Sequence, residues 1–389
     1  MFQIKTFNQI ASLGLDHFQH EKYEVASALQ NPDALIVRSA NLHQETLPLS
    51  VRAIARAGAG VNNVPLDDCT SKGIVVFNTP GANANAVKEL VLCAMLLCSR
   101  GAIEGINHCR SLKDVSNDQM GATLEAAKKQ FKGKEISGKT LGVIGLGAIG
   151  ANVANMGIDL GMKVVGYDPA ISIDAAWRLS SKIEKMENLQ SLMSRCDYIT
   201  LHVPAIEATR HMIDQNALSH LKPGASLLNF ARGEIVDSQA VIAALDSQNL
   251  KRYATDFPTQ AMISREDVLP MPHLGASTGE AEDNCAIMAC KQLIDFLENG
   301  NITNSVNFPP TSFERSTPYR VTFVNDNVPG VLGHVLSILA EMNVNVVDMM
   351  NKSRNNIAYN IIDLECAASE QLLASISEIE HVISVRSLT

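Results

Sequence analysis

Three glycines and one aspartate have the spacing of a dinucleotide-binding site. Gly145, Gly147 and Gly150 form the pattern G-x-G-x-x-G directly after a short apolar run, and a helical pattern follows. The first glycine permits a tight turn, the second lets the backbone approach a pyrophosphate, and the third lets the helix pack on the strand. Asp168, eighteen residues after Gly150, ends the next apolar run and can accept hydrogen bonds from ribose hydroxyls. Because a 2′-phosphate would meet this like charge, the pattern predicts NAD rather than NADP.

Arg232 and His273 offer the side-chain chemistry that hydride transfer to a carbonyl compound needs. Arg232 follows an apolar run and can grip a carboxylate through two parallel hydrogen bonds. His273 lies between proline and glycine residues and can donate or accept the proton of a carbonyl oxygen. The alternatives are a surface arginine in a salt bridge and a structural histidine. Behind a dinucleotide pattern we favour the functional interpretation, with a 2-hydroxy or 2-keto acid as substrate.

Length, net charge, hydropathy and cysteine spacing exclude several classes of protein. A chain of 389 residues is long enough for two or three domains, and its net charge of −9 argues against non-specific nucleic-acid binding. The longest apolar run, residues 90–98, is too short to span a membrane, and the first residues do not resemble a signal peptide. Eight cysteines without a C-x-x-C pair favour a reduced, cytoplasmic protein with neither disulfides nor a metal site.

Apolar runs alternate with helical patterns over most of the chain, which predicts an α/β fold with parallel sheets. Two long helices, at about 84–101 and 280–298, connect the predicted lobes, so that the nucleotide lobe is inserted into the first one and a cleft lies between them. The expected strands are residues 2–7, 34–38, 53–57, 74–77, 141–145, 163–167, 197–203, 226–230, 252–255 and 268–269.

The last part of the chain has a different pattern. Residues 299–301 and 308–312 are typical of a linker, and the order after them is strand, helix, strand, strand, helix, strand. This βαββαβ order predicts a separate ferredoxin-like module. The expected domains are therefore a substrate-binding domain (1–83 with 277–310), an NAD-binding Rossmann domain (84–276) and the C-terminal module (317–389).

Several motifs in one order make the chain resemble the D-isomer-specific 2-hydroxyacid dehydrogenases. They are residues 37–39, 56–63, 145–168, 201–204, 231–233 and 272–278. The resemblance implies two Rossmann-like or flavodoxin-like lobes with a central cleft, an NAD cofactor and a homodimer or homotetramer. It also implies NAD-dependent oxidation of a phosphorylated 2-hydroxy acid, 3-phospho-D-glycerate, to 3-phosphohydroxypyruvate, the first step of phosphorylated L-serine biosynthesis.

The resemblance assigns roles to individual residues. Arg232 would bind the substrate carboxylate and carbonyl, and His273 would exchange the proton. Substrate contacts from the other lobe would come from Arg38, Ser39, Arg56 and Asn62, and the partner subunit's Lys128 or Lys129 could add a positive charge. The residues implied for the cofactor are Gly145, Gly147, Ala148, Ile149, Gly150, Asp168, His202, Val203, Pro204, Thr209, Ala231, Asp256 and Gly275.

One catalytic position departs from the family. Members usually carry a glutamate that is oriented against the catalytic histidine, and the aligned position here holds Gln260. An uncharged amide can orient the imidazole but cannot stabilise its cation as a carboxylate does. We therefore expect a pH–rate profile unlike that of the glutamate-bearing enzymes, unless nearby Glu266 replaces the acid.

The C-terminal module resembles an ACT domain, an amino-acid-sensing unit. Matched to serine-sensing dehydrogenases, Asn325, Asn327 and Asn345 would contact an L-serine effector, although Asn325 stands where those proteins can have histidine. The alternative is a module that serves only dimerisation.

Two other functions stay open at this point. Another 2-keto acid such as 2-oxoglutarate could be the substrate, because a second carboxylate also suits arginine. A non-enzymatic NAD-sensing protein is the alternative from a different class, as in family-related transcriptional corepressors.

Overall fold

The computed structural model describes residues 1–388, with the side chain of Asp174 excepted. The chain forms two compact units: Met1–Ala82 together with the chain from Gly279 onward, and Asn83–Thr278. None of the helices in the part described is both long and apolar enough to cross a membrane.

The first 82 residues form a five-stranded parallel sheet in the order β2-β1-β3-β4-β5. All four residues of its central strand, Ala34–Val37, are buried, which is why the sequence there is an unbroken apolar run. The elements are β1 (Phe2–Phe7), α1 (Ser12–Leu15), β2 (Tyr23–Ala26), β3 (Ala34–Val37), β4 (Ala53–Arg56), α2 (Leu66–Ser71) and β5 (Val75–Phe77).

The second unit is a seven-stranded parallel sheet in the order β12-β11-β10-β9-β6-β7-β8. Strand order reverses between β6 and β9, and ligands of such sheets bind at the carboxyl ends of the strands at this point. The elements are α3 (Ala84–Ser99), α4 (Ala102–Ser111), α5 (Asn117–Ala127), β6 (Thr140–Ile144), α6 (Ala148–Asp159), β7 (Lys163–Tyr167), α7 (Ile173–Ala176), β8 (Glu184–Lys185), α8 (Leu189–Arg195), β9 (Tyr198–Leu201), α9 (Gln215–Ser219), β10 (Ala225–Asn229), α10 (Ser238–Asp246), β11 (Leu250–Thr255) and β12 (Val268–Pro270).

The chain then returns to the first unit through α11 (Gly279–Asn299) and ends in a four-stranded antiparallel sheet, the C-terminal module. Its strand order, β14-β15-β13-β16, with two helices, is the ferredoxin-like arrangement. The α/β fold class with two parallel lobes and a ferredoxin-like module is thus confirmed. The module's elements are β13 (Tyr319–Asp326), α12 (Val331–Glu341), β14 (Val346–Arg354), β15 (Ile357–Leu364), α13 (Glu370–Ser377) and β16 (Val382–Leu388).

Both faces of the module's sheet are covered, which is why all eight residues of β15 are buried. Ile362 and Leu364 pack with α12 and α13, while Tyr359 and Ile361 join the core that contains Phe296 of α11. The module therefore shares a hydrophobic core with the first lobe. The predicted division into three domains stays a prediction.

Residues 299–312, which include the two stretches predicted as a linker, pack against the first lobe. Val306 donates its N–H to the carbonyl of Val76 in β5 at 2.9 Å. Ile302, Phe308 and Thr311 are fully buried. The sequence predicted a linker at residues 299–301 and 308–312. The chain between them forms an antiparallel bridge from Ser305 to Phe77 of β5, so the connection is part of the lobe.

Candidate active site

The glycine turn between β6 and α6 has the geometry that a pyrophosphate needs. Gly145 has a φ of 87°, and a β-carbon there would lie 2.6 Å from the carbonyl oxygen of His202. A β-carbon on Gly150 would lie 1.9 Å from the carbonyl oxygen of Gly145. A β-carbon on Gly147 would meet only open space, in front of a helix whose first turn has no side-chain cap. The uncapped N–H groups and this space fit the phosphates of NAD.

Asp168 is fixed at the end of β7 by the glycine turn itself. One of its carboxylate oxygens accepts the N–H of Leu146 at 2.8 Å, and the other accepts the N–H of Ala170 at 2.9 Å. The side chain is partly exposed, and each oxygen keeps a second lone pair. The carboxylate can therefore accept ribose hydroxyls without losing its backbone contacts.

His202, after β9, lies under the turn and stays neutral. Its Nε2 is 2.9 Å from the hydroxyl oxygen of Thr200, whereas its Nδ1 is shielded from solvent and makes no hydrogen bond to any described residue. Burial lowers the pKa of the imidazole to about 3. An unpartnered Nδ1 at this edge of the sheet is what a polar group of a bound cofactor could satisfy.

The loop after His202 contains the other residues implied for the cofactor. Val203 and Pro204 are accessible, whereas Thr209 is buried. The Thr209 hydroxyl donates to the carbonyl of Pro204 at 2.5 Å and accepts the N–H of Ile206 at 3.0 Å. In this structure Thr209 therefore holds the loop closed.

Arg232 follows β10 in a turn that a buried asparagine shapes. Asn229 donates its amide to the carbonyl of Arg232 at 2.9 Å and accepts the N–H of Ala231 at 3.1 Å. Asn229 is fully buried, and Arg232 is partly exposed. Asn229 was not among the predicted site residues, although a lone amide at the end of a largely apolar strand is a signal that could have identified it.

Asp256 holds the segment that carries His273. Its carboxylate, 3% exposed, accepts the N–H of Leu274 at 3.0 Å and that of Gly275 at 2.7 Å. His273 itself has a φ of 56°, in the left-handed region that non-glycine residues rarely adopt. Its exposed ring contacts the ring of Phe257, with centroids 4.8 Å apart. Two backbone hydrogen bonds to one carboxylate thus support a strained backbone that projects the imidazole outward.

The two candidate catalytic segments are joined. The N–H of Asp256 donates to the carbonyl of Asn229 at 3.1 Å, so the residue that shapes the Arg232 turn also positions the residue that holds His273. Strands β10, β11 and β12 are neighbours, and all three segments follow their carboxyl ends. The structure therefore brings Arg232, Asp256 and His273 to the edge of the sheet that also carries the glycine turn.

Gln260 and Glu266 lie near this segment in sequence but are not engaged with it. Both side chains are exposed, and Gln260 begins a short 3₁₀ turn, Gln260–Met262. Within residues 1–388 neither side chain hydrogen-bonds to His273, and the catalytic role of Gln260 stays a prediction.

The residues expected from the first lobe follow the ends of its strands. Arg38 follows β3 and Arg56 ends β4, and the Nε of Arg56 donates to the carbonyl of Arg38 at 3.1 Å. Arg38 also forms an ion pair with Glu282 of α11, at 2.5 Å between Nη2 and Oε1. Glu282 was not among the predicted site residues, because 244 residues separate it from Arg38 in the sequence.

The other residues expected to contact the substrate have exposed side chains. Ser39 and Asn62 are exposed, and the carbonyl of Asn62 lies 3.0 Å from Nε2 of His43. Lys128 and Lys129 follow α5, also exposed, and Lys128 pairs with Glu125.

The three asparagines expected to bind an effector do not meet within one module. Asn325 is buried, donates to the carbonyl of Asp326 and accepts from the amide of Asn360, whereas Asn327 is exposed. The backbone carbonyl of Asn345 accepts the N–H of Glu365 at 3.1 Å, just beyond one end of β15. Asn325 is paired with Ala358, near the other end of that strand. Seven residues of strand separate these positions by about 20 Å.

A groove of about 680 Å³ runs along α11 within the first unit, lined by Asn284, Met288, Lys291 and Asp295 among others. It contains none of the predicted site residues, so it is not the candidate active site.

Comparisons with known proteins identify the family of this chain. A model of the D-isomer specific 2-hydroxyacid dehydrogenase NAD binding domain matches residues 104–275. The D-3-phosphoglycerate dehydrogenase of Haemophilus influenzae is 32% identical over 341 residues, which cover 85% of this chain and 79% of that protein. The human D-3-phosphoglycerate dehydrogenase is 36% identical over 295 residues, 74% of this chain. The match covers 52% of the human protein, so the chain spans about half the length of that relative.

Solved structures show the same architecture. An NAD⁺-bound 3-phosphoglycerate dehydrogenase of Entamoeba histolytica matches with a TM-score of 0.62 and 26% identity, over 79% of this chain and 98% of that one. The D-mandelate dehydrogenase of Rhodotorula graminis, at 24% identity, shares the fold with a TM-score of 0.65 over 80% of this chain and 99% of that one. The order of motifs, the glycine turn and these relatives together lead to one conclusion: the chain belongs to the D-isomer-specific 2-hydroxyacid dehydrogenase family.

Proposed function

We propose that this protein catalyses the NAD-dependent interconversion of 3-phospho-D-glycerate and 3-phosphohydroxypyruvate. The observation that carries the proposal is the linked set Arg232, Asn229, Asp256 and His273 at the carboxyl edge of an NAD-binding sheet. The names of the relatives at 32–36% identity support the choice of substrate. NAD, when bound, supplies or accepts the hydride.

The chain's own residues would supply binding and proton transfer. Arg232 binds the carboxylate of the acid with two charge-assisted hydrogen bonds and so orients the reacting carbon. His273, exposed and held by the backbone contacts to Asp256, gives the carbonyl oxygen a proton during reduction and takes it back during oxidation. Arg38 and Arg56 would bind the phosphate, which suits a pair of guanidinium groups.

Regulation by L-serine is a second, separable part of the proposal, supported by the ferredoxin-like module. Asn345 lies about 20 Å from Asn325 along the sheet, so one module cannot gather both around a single amino acid. A serine site that uses both residues requires Asn345 from a second copy of the chain. Serine inhibition would then depend on assembly through the module.

The test is NADH oxidation by the purified protein with 3-phosphohydroxypyruvate and with 2-oxoglutarate, each with and without L-serine. Faster turnover of the phosphorylated substrate, suppressed by serine, is the expected result. Turnover without a serine effect would remove the regulatory part alone. Preference for 2-oxoglutarate would contradict the substrate assignment, and no turnover with either would favour an NAD-sensing protein.

A further inference from the structure

The ion pair between Arg38 and Glu282 has no evident structural purpose. Both side chains are 42% exposed, and one contact of 2.5 Å joins them. Half-exposed pairs of this kind contribute little to folding stability. Ile36 of β3 and Ala286 and Ala289 of α11 are already buried in one hydrophobic core without the ion pair. A role in binding is the better explanation for an acid at this position.

Arg38 lies where an anion is expected. It follows β3, and its neighbour Arg56 ends β4, so both side chains leave the carboxyl end of the same parallel sheet. The hydrogen bond from Nε of Arg56 to the carbonyl of Arg38 keeps the two residues together. Two guanidinium groups make a strong anion site, and Glu282 reduces their combined charge from +2 to +1.

Glu282 is not free to leave this place. It stands in the first turn of α11, a helix of 21 residues that is packed into the core, so its backbone is fixed. The positive end of the helix also favours its charged form at this position. A phosphate that reaches Arg38 must either displace the Glu282 carboxylate or accept it as a neighbour of like charge.

We propose that Glu282 is an internal anion that competes with the substrate phosphate for Arg38, and so raises the KM for phosphorylated substrates. The inference rests on the proposed function, in which Arg38 and Arg56 bind the phosphate. Glu282 is thus a specificity-determining residue: it weakens binding in proportion to the charge of the incoming group. An acid without a phosphate does not compete with it.

The test compares Glu282→Gln with Glu280→Gln. Glutamine keeps the size of Glu282 and an oxygen that Arg38 can donate to, but removes the charge. Glu280 is an exposed acid in the same first turn, so the control makes the same change of charge in the same helix. KM and kcat are measured with 3-phosphohydroxypyruvate and with hydroxypyruvate, which lacks the phosphate.

Glu282→Gln is expected to lower the KM for 3-phosphohydroxypyruvate about fivefold or more, with kcat and the KM for hydroxypyruvate within about twofold of the wild type. Glu280→Gln is expected to change neither KM. An unchanged or raised KM for the phosphorylated substrate would overturn the inference, as would an equal fall for both substrates. Failure of the proposed function would be seen in the wild-type protein, which would then not prefer the phosphorylated substrate. That result would also contradict the inference about Glu282.

Inorganic phosphate is a second probe that does not depend on turnover. If Glu282 competes with anions, phosphate should raise the melting temperature of Glu282→Gln more than that of the wild type or of Glu280→Gln. Equal shifts in the three proteins would contradict competition at Arg38.

Discussion

At the level of single residues, buried polar side chains position the two candidate catalytic residues. Asn229 and Asp256 are almost fully buried, and each satisfies backbone groups next to Arg232 or His273. His273 occupies a left-handed backbone conformation, which costs about 1–3 kcal/mol when the surrounding structure imposes it. The two hydrogen bonds accepted by Asp256 offset this cost and preserve the outward direction of the ring.

His202 should make folding stability depend on pH. Its pKa in the folded protein, about 3, lies below its ordinary value of 6.5, so the unfolded chain binds a proton that the folded protein excludes. The stabilising contribution is therefore complete above pH 6.5 and is lost as the pH falls towards 3. Between about pH 7.5 and pH 5 the free energy of unfolding should decrease by up to about 2 kcal/mol from this residue.

The comparison is urea unfolding of the wild type and of His202→Asn at both pH values. The variant has no imidazole to titrate, so its free energy of unfolding should fall less over the same interval. An equal decrease in both proteins would mean that His202 titrates normally in the folded state.

Local patterns revealed some residues of the site and not others. The glycines and Asp168 stand within one short stretch of chain whose spacing is set by a single turn, so the sequence displays them. Asn229 acts through hydrogen bonds within a turn, and Glu282 through a partner 244 residues away. The contact between Glu282 and Arg38 exists only because α11 packs on the sheet, and the local sequence pattern carries no information about that packing.

At the level of secondary-structure elements, the turn between β6 and α6 contains glycines with two different roles, one in packing and one in cofactor binding. Gly150→Ala would place a methyl group 1.9 Å from the carbonyl oxygen of Gly145, so the helix could not keep its packing on the strand. Gly147→Ala meets no atom within 4 Å and has a φ of −64°, which alanine adopts readily. The first substitution should therefore damage the fold, and the second only the cofactor site.

The expected outcome is a loss of about 2 kcal/mol or more in stability for Gly150→Ala, through overpacking, and of less than about 1 kcal/mol for Gly147→Ala. NADH should bind at least about tenfold more weakly to Gly147→Ala, because the methyl group occupies the space before the helix N-terminus. Denaturant unfolding and NADH titration measure the two effects. NADH affinity equal to that of the wild type in Gly147→Ala would contradict the placement of the pyrophosphate.

The elements that the sequence predicts well are those buried on both faces. Strands such as β3 and β5 are continuous apolar runs, and every one of their residues is buried. Helices α4 and α5 were not anticipated, and they bury almost nothing: no residue of α4 and only Ala127 of α5. Without a buried stripe a helix leaves no apolar period in the sequence.

At the scale of the whole molecule, the C-terminal module is built into the first unit. Three arginines of the linker and module donate to carbonyls at the end of α11: Arg386 to Phe296, Arg315 to Glu298 and Arg320 to Asn299. The last carbonyls of an α-helix have no hydrogen-bond donor within the helix, and here the three guanidinium groups act as donors to them. Arg320 also forms a fully buried ion pair with Asp363 of β15, at 2.6 Å.

Removal of Asp363 should destabilise the protein strongly. In Asp363→Ala the Arg320 cation stays buried without its counter-charge, which typically costs about 3–5 kcal/mol. The double variant Arg320→Met/Asp363→Leu removes both charges and should recover most of that loss. Urea unfolding measures the free energy of unfolding of both variants. The control is Lys352→Ala, a change at the exposed rim of the same interface.

A loss below about 1 kcal/mol in Asp363→Ala would show that the pair is accessible to water and that the module is not anchored as described. The sequence predicted the module's fold from its own periodicity, but not this anchoring, because Arg320 and Asp363 stand inside apolar strands where charges are rare.

The most direct test of the proposed function compares Arg232→Ala with Arg210→Ala, a change at an exposed arginine of the same unit, as the control. In the proposed function Arg232 binds the substrate and not the cofactor. The kcat/KM for 3-phosphohydroxypyruvate should therefore fall by about a thousandfold, as expected for two lost charge-assisted hydrogen bonds, while the dissociation constant for NADH stays within about threefold. Retained turnover, or loss of NADH binding together with turnover, would contradict it.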